Sequence, residues 1–219
     1  MINLIRGFTI DQVWREAITK CYHTGYKYVI EKGSYEGETR IQFPAVAIEI
    51  IKPWIRPLAP ILPPTLPPVT TDEKIEEYFM KYLMNPTLAI NEEYKYASWI
   101  VPQLPDVIKM LQDSHGNTNQ ATITVGDSFC TKMKDPPCLK LISFKVVELR
   151  LQMSVFFRSW DLVAGLPQNL GGLQLLKEYV LSHLDLIIDG QIYAYSDGLH
   201  LYYPLYKAVV DQLIIKESN

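Results

Sequence analysis

The residues best able to do chemistry cluster in one stretch of the chain. Cys138 follows Asp135, Pro136 and Pro137. A cysteine attacks through its thiolate, which forms when a neighbouring cation lowers the thiol pKa. Twenty residues further on comes Arg158-Ser159-Trp160-Asp161, and then Gly165-Leu166-Pro167-Gln168-Asn169. A guanidinium is a planar fork for phosphate, and a carboxamide offers a donor and an acceptor on one edge. Gly198-Leu199-His200-Leu201-Tyr202 adds an imidazole and a phenol. Each residue alone has a bland reading. Cysteine is most often a small buried hydrophobe, Arg158 to Asp161 reads equally as a solvated loop, and His200 as a satisfied surface histidine.

The rest of the chain bounds what these residues can serve. Its 219 residues suit one domain, with 48% hydrophobic and 21% charged residues, an ordinary globular balance. The net charge of −3 gives no broad basic field, which argues against a nucleic-acid polymer as partner. Arginine is scarce: only Arg6, Arg15, Arg40, Arg56, Arg150 and Arg158 occur, so a bidentate phosphate contact draws on these six. Three cysteines, Cys21, Cys130 and Cys138, form no disulfide framework, and the expected home is a reducing cytoplasm. The N-terminus lacks the apolar core of a signal peptide, and no apolar run reaches membrane-spanning length. No metal site is expected.

Hydrophobic periodicity supplies the elements that must position the candidates. Ile10, Val13, Trp14, Ala17, Ile18 and Cys21 recur at helical spacing, with Gly25 as the stop. Residues 45–51 read as a strand, and residues 53–68 are a proline-rich surface excursion. Thr70 and Glu73 form a capping-box pattern that opens a helix ending before Pro86. A short helix is expected over Gln103 to Leu111, and strands over 121–126, 140–148 and 150–157. Gly171-Gly172 leads into a helix with Leu173, Leu176, Tyr179, Val180 and Leu184 on one face. A strand from Leu186 to Tyr195 and a helix from Tyr203 to Ile214 finish the chain. Strands and helices do not alternate regularly, so the expected class is α+β.

The order Pro-Pro-Cys, two strands, Arg-Ser-x-Asp, Gly-x-Pro-x-Asn and finally His-x-Tyr resembles the thymidylate synthase family, closest to its short archaeal-type branch. The resemblance is tight from about Asp135 to Tyr202 and loose over the first 130 residues. It implies a single domain over residues 1–219, with a mixed or antiparallel sheet flanked by helices, and a homodimer packed through a sheet face. Apolar strands at 121–126 and 140–157, in a chain this short, agree with such a face. The implied reaction is transfer and reduction of a one-carbon unit from 5,10-methylenetetrahydrofolate onto C5 of deoxyuridylate. The alternatives are a pyrimidine nucleotide hydroxymethylase of the same superfamily and a catalytically silent nucleotide-binding protein.

The resemblance also implies roles. Cys138 matches the nucleophile, with Arg158 as the cation that lowers its pKa. Arg40, Arg158 and Ser159 match phosphate ligands, and Asp161 the residue that meets base and pterin. Asn169 matches the reader of the pyrimidine edge, and His200 and Tyr202 the ligands of the deoxyribose 3′ hydroxyl. Glu77 resembles the glutamate that organises water, and Tyr96 the tyrosine near the C5 proton. The sequence departs from the family in five places. Leu139 replaces the histidine after the nucleophile, Phe157 the glutamine before Arg-Ser, and Ala97 the glycine after Tyr96. The arginine pair that crosses the dimer to the phosphate aligns near Thr118-Asn119-Gln120-Ala121, where no arginine stands. The chain also ends soon after the His-x-Tyr motif, without the C-terminal segment that closes over folate in larger members.

Overall fold

A computed structural model describes residues 2–32, 35–90 and 92–217, with side chains as far as Ile214. Gly33, at the head of the glycine-bearing loop before Arg40, lies outside the described residues.

The chain opens on strand β1 (Asn3–Gly7), which the sequence reading missed, and enters helix α1 (Ile10–Thr24). Thr9 caps α1 by accepting the Gln12 N–H at 3.2 Å, and the predicted apolar stripe from Ile10 to Cys21 is buried. Gly25 ends the helix with extended backbone, φ −69°. A Cβ there would stand 2.5 Å from the Cys21 carbonyl oxygen and 2.8 Å from an Ile41 methyl, so glycine is needed for close approach. Strands β2 (Tyr26–Val29), β3 (Thr39–Gln42) and β4 (Val46–Ile50) follow.

The proline-rich segment runs over the surface but is fastened down. Leu58 and Ala59 are buried, Arg56 pairs with Glu178, and the Ala59 N–H donates to Asp72 at 2.8 Å. Helix α2 (Asp72–Tyr78) starts one residue later than the expected capping box. Thr71 is its cap, accepting from the Lys74 N–H, while Thr70 is buried. A π-helical turn, Phe79–Leu83, ends this segment. Helix α3 (Ala97–Asp113) is longer than the expected Gln103 to Leu111: it runs through Pro102 as well as Pro105. Its buried stripe from Ala97 to Leu111 outweighs the local cost of the prolines.

Strand β5 (Thr122–Thr124), a 3₁₀ turn at Ser128–Lys132, and the long hairpin β6 (Leu139–Val147) and β7 (Arg150–Phe157) come next. The hairpin closes through Glu148 and Leu149, both with positive φ (51° and 60°), the two-residue turn whose twist matches paired strands. Then come β8 (Trp160–Asp161), α4 (Gly165–Leu181), β9 (Ile188–Ser196), β10 (Leu199–Leu201) and α5 (Tyr203–Glu217).

The strands make two mixed sheets. The larger has the order β1-β4-β9-β7-β6-β5, and the smaller β2-β3-β10-β8. Ile48, Ile142, Phe144, Leu151, Met153, Phe157 and Ile192 fill one face of the large sheet and are buried, where α1, α3 and α4 pack on it. On the opposite face Leu4 is 69% exposed, and Phe156 and Tyr195 stack with ring centroids 5.4 Å apart. The class is α+β with mixed sheets flanked by helices, as expected.

Gly171 and Gly172 do not start α4; they lie within it. A Cβ on Gly171 would stand 2.8 Å from the Ile75 side chain, and one on Gly172 2.5 Å from the Tyr78 ring. The pair lets α2 press against α4. Alanine at 172 gains about 1 kcal/mol of helix propensity but must displace the partly buried Tyr78 ring, and overpacking costs about 1–3 kcal/mol. Gly172→Ala is therefore expected to lower the urea midpoint, with a net loss of up to about 2 kcal/mol. A rise in the midpoint would show that the two helices have room to spare.

Candidate active site

Cys138 stands immediately before β6, and Arg158 immediately after β7. The ladder pairs Leu139 with Phe157 and so sets Cys138 opposite Arg158. The Arg158 backbone N–H donates to the Cys138 carbonyl at 2.9 Å. Its side chain donates through Nε to the Pro137 carbonyl at 3.2 Å and through a terminal nitrogen to the Pro136 carbonyl. Three consecutive carbonyls ahead of β6 are thus held by one arginine. Its guanidinium also lies 3.6 Å from the Asp135 carboxylate.

These residues open onto a cavity of about 620 Å³ lined by Lys32, Tyr35, Arg40, Glu93, Lys134, Asp135, Cys138, Arg158, Ser159, Trp160, Asp161, His200 and Tyr202. Seven of the ten expected site residues meet there: Arg40, Cys138, Arg158, Ser159, Asp161, His200 and Tyr202. The expected lowering of the Cys138 pKa is not what the free protein has. Burial pushes the thiol up, and this outweighs the downward pull of Arg158. Asp135 adds to the rise, while Lys140 and Arg40 assist Arg158.

The small sheet supplies the opposite wall. Arg40 on β3 donates to the hydroxyls of Tyr28 and Tyr202, and Tyr35 packs on the Tyr202 ring at 4.4 Å. β10 lies between β3 and β8, which brings His200 level with Asp161. The His200 Nδ1 lies 2.7 Å from the Gly198 carbonyl. A carbonyl only accepts, so Nδ1 carries the hydrogen and Nε2 is a bare acceptor. Burial, and then the charge of Arg40, pull the imidazole pKa down to about 4, so the ring is neutral near pH 7.

Asp161 is already occupied. Its carboxylate accepts the N–H groups of Val163, Ala164 and Gly165 at 3.0 to 3.3 Å, at the N-terminus of α4. Burial pushes its pKa up against these bonds. Asn169, one turn into α4, accepts the Trp160 indole N–H at 2.9 Å. The same carboxamide comes near the buried Tyr78 phenol without a well-formed hydrogen bond. Tyr96 is buried beside Cys138, and its oxygen accepts the Leu139 N–H at 3.3 Å. Ala97, where the family has glycine, is buried in the first turn of α3. Leu139, where the family has histidine, is a core residue with no exposed surface.

Glu77 is not brought to the cavity. It lies on the outer face of α2, 57% exposed and paired with Lys81, because the one-turn register of α2 turns Ile75 inward instead. None of residues 118–121 lines the cavity either. Sequence reading missed Lys32, Lys134, Trp160 and the aromatic group Tyr82, Tyr94 and Trp99. Tyr82 and Tyr94 are half-buried, and both feel the Cys138 charge. Tyr82 packs edge-on to Tyr96 at 5.1 Å, and Tyr94 sits 5.7 Å from Trp99. The cluster of aromatic residues around Tyr96 was the available signal; only the fold shows that it faces the thiol.

The family model for thymidylate synthase matches residues 81–218. A protein of Methanosarcina acetivorans named "Putative thymidylate synthase" is 28% identical over 206 residues, covering 91% of this chain and 89% of its own length. One of the same name from Methanopyrus kandleri is 23% identical, covering 91% and 92%. A "Thymidylate synthase" of Wigglesworthia glossinidia brevipalpis is 36% identical over 70 residues, 32% of this chain. The chain belongs to the thymidylate synthase family. The first of these relatives come from archaea and align over nearly their whole length, which places the chain in the short archaeal-type branch.

The buried His200 makes stability depend on pH. Its folded pKa of about 4 lies below the ordinary 6.5, so between those values the unfolded chain binds a proton that the folded one does not. Stability is therefore present above about pH 6.5 and is lost as pH falls toward 4, by up to roughly 3 kcal/mol. Chemical denaturation across pH 4 to 7 is expected to show this slope in the wild type and a flatter one in His200→Gln. Equal slopes would mean that His200 titrates normally.

Proposed function

We propose that this chain is a thymidylate synthase, which joins the one-carbon unit of 5,10-methylenetetrahydrofolate to C5 of deoxyuridylate and reduces it to a methyl group. The observation that carries the reading is the placement of Cys138 in the same cavity as Arg158, Ser159, His200 and Tyr202. A thiol alone has many uses. A thiol beside a cation, a bare imidazole acceptor and further cations suits a phosphorylated sugar carrying an electrophilic ring.

Deoxyuridylate fits this cavity with its ring at Cys138. The 3′ hydroxyl donates to Nε2 of His200, which has no hydrogen of its own, and Tyr202 stands beside it. The phosphate lies among Lys32, Arg40, Lys134 and Arg158, all on the cavity wall. These cations answer for the arginine pair the sequence lacks. The Cys138 thiolate adds to C6 of the uracil, and the resulting enolate makes C5 a nucleophile. Arg158 stabilises the thiolate, and the hold on three carbonyls keeps its sulfur in place. The Tyr96 oxygen already accepts from Leu139, so its O–H is free to donate toward the C5 region.

A reduced folate carries flat aromatic rings, and the half-buried Tyr82 and Tyr94 with Trp99 give it an aromatic surface next to the thiol. When bound, the folate supplies the carbon and the hydride. We further propose a homodimer packed through the open face of the large sheet, where Leu4, Ala47, Tyr193 and Tyr195 line a shallow apolar concavity. A monomeric mass by light scattering at micromolar concentration would count against it. Free thiols at all three cysteines suit a reducing cytoplasm.

The deciding experiment is incubation with methylenetetrahydrofolate and each pyrimidine monophosphate, with products identified by mass. The expected product is thymidylate together with dihydrofolate, lost in Cys138→Ser and largely kept in Cys21→Ser and Cys130→Ser. A hydroxymethylated nucleotide with tetrahydrofolate would assign the chain to water rather than hydride transfer. No product from any nucleotide would overturn the enzymatic reading.

A further inference from the structure

Two positions that depart from or vary within the family pattern turn out to touch. Phe157 stands where the family has glutamine, and Trp160 fills the variable place in Arg-Ser-x-Asp. Their rings lie parallel, 4.0 Å apart between centroids and 8° from coplanar. Phe157 is fully buried and Trp160 is 3% exposed, so neither ring has room to turn. From this fixed position the Trp160 Nε1–H donates to Oδ1 of Asn169 at 2.9 Å.

An indole nitrogen donates and never accepts. The oxygen of the Asn169 carboxamide, not its NH2 group, must therefore face Trp160. Turning the amide over would set a donor against the donor of a buried indole in a part-buried contact, which is costly. The carboxamide is pinned in one of its two orientations; beside the nearby Tyr78 phenol, an N–H and one oxygen lone pair remain for a ligand.

That distinction matters for a pyrimidine. A freely turning carboxamide reads either base: one orientation meets O4 and N3–H of uracil, the other the amino group and bare N3 of cytosine. Pinned, it offers a donor to O4 and an acceptor to N3–H, and both are mismatched against cytosine. We propose that Trp160 is a positioning residue that locks the Asn169 carboxamide and so makes the site select uracil over cytosine. The inference rests on the reading that a pyrimidine nucleotide occupies the cavity with its base edge toward Asn169. Phe157 holds the indole flat, and this is the use the structure finds for that departure.

The test compares tritium release from C5-labelled deoxyuridylate and deoxycytidylate, in the presence of methylenetetrahydrofolate. Two variants remove the donor: Trp160→Phe, and replacement of Trp160 by benzothienylalanine, which keeps the indole shape without the N–H. The second guards against a packing defect in the first. In both, the ratio of kcat/KM for uracil over cytosine is expected to fall ~10-fold or more, because the amide is free to turn. General damage to the fold lowers both rates and leaves their ratio in place. An unchanged ratio in the benzothienylalanine variant, with an active wild type, would overturn the lock while leaving the pyrimidine reading intact. Wild-type preference for deoxycytidylate would also overturn it. Release from neither base by the wild type would overturn the pyrimidine reading and the lock with it.

Discussion

Arg158 carries more of the site than any other residue, and it does so before any ligand arrives. Proline has no N–H, so the Pro136-Pro137 segment cannot knit itself into the sheet through its own donors. Its carbonyls must be satisfied by something else, and a guanidinium with five donors is suited to the task. By donating to Pro136, Pro137 and, from its backbone, Cys138, Arg158 fixes the approach to β6. The rest follows from that constraint. The β6–β7 register fixes Arg158, Arg158 fixes Cys138, and the parallel step from β8 to β10 sets Asp161, His200 and Tyr202 across the cavity.

The same arrangement explains why the resting thiol is not activated. Burial raises the pKa of Cys138, and Asp135 shares the guanidinium that would otherwise lower it. The free protein therefore holds a protonated, half-buried sulfur, and a thiol is less readily oxidised than a thiolate. On the proposed reading, a phosphate dianion would compete with Asp135 for the same cation and change the charge balance around the sulfur. His200 shows the complementary economy: burial and then the charge of Arg40 keep the ring neutral, while the Gly198 carbonyl holds the Nδ1 hydrogen and leaves one acceptor facing the cavity.

Much of this was legible in the sequence, and for identifiable reasons. The stripe of α1, the strand pair 140–148 and 150–157, and the cluster around Cys138, Arg158 and His200 rest on local spacing that the fold preserves. What failed depended on distant packing. Gly171-Gly172 read as a helix start because glycine is a poor helix former, yet it lies inside α4 where Ile75 and Tyr78 need the space. Pro102 stands just ahead of the expected start at Gln103, but the buried face of α3 carries the helix through it. Glu77 and its neighbours could be ranked only by knowing which face of α2 meets α4. Short strands such as β8 and β10 hold two or three residues, too few for any period to show, yet they build the wall that carries His200. Phe157 looked like a departure without a role, and Trp160 like a variable place, until their stacking brought the indole N–H to Asn169.

The central claim is that Cys138, and no other cysteine, adds covalently to C6 of a uracil nucleotide. A 5-fluorinated deoxyuridylate exposes it directly, because fluorine at C5 cannot leave as the proton does and the adduct cannot break down. The purified protein, incubated with this nucleotide and methylenetetrahydrofolate, is digested and its three cysteine peptides are weighed. The account predicts a near-stoichiometric mass increase, equal to nucleotide plus folate, on the peptide that contains Cys138. An unmodified Cys138 peptide, or the same increase on Cys21 or Cys130, would contradict it.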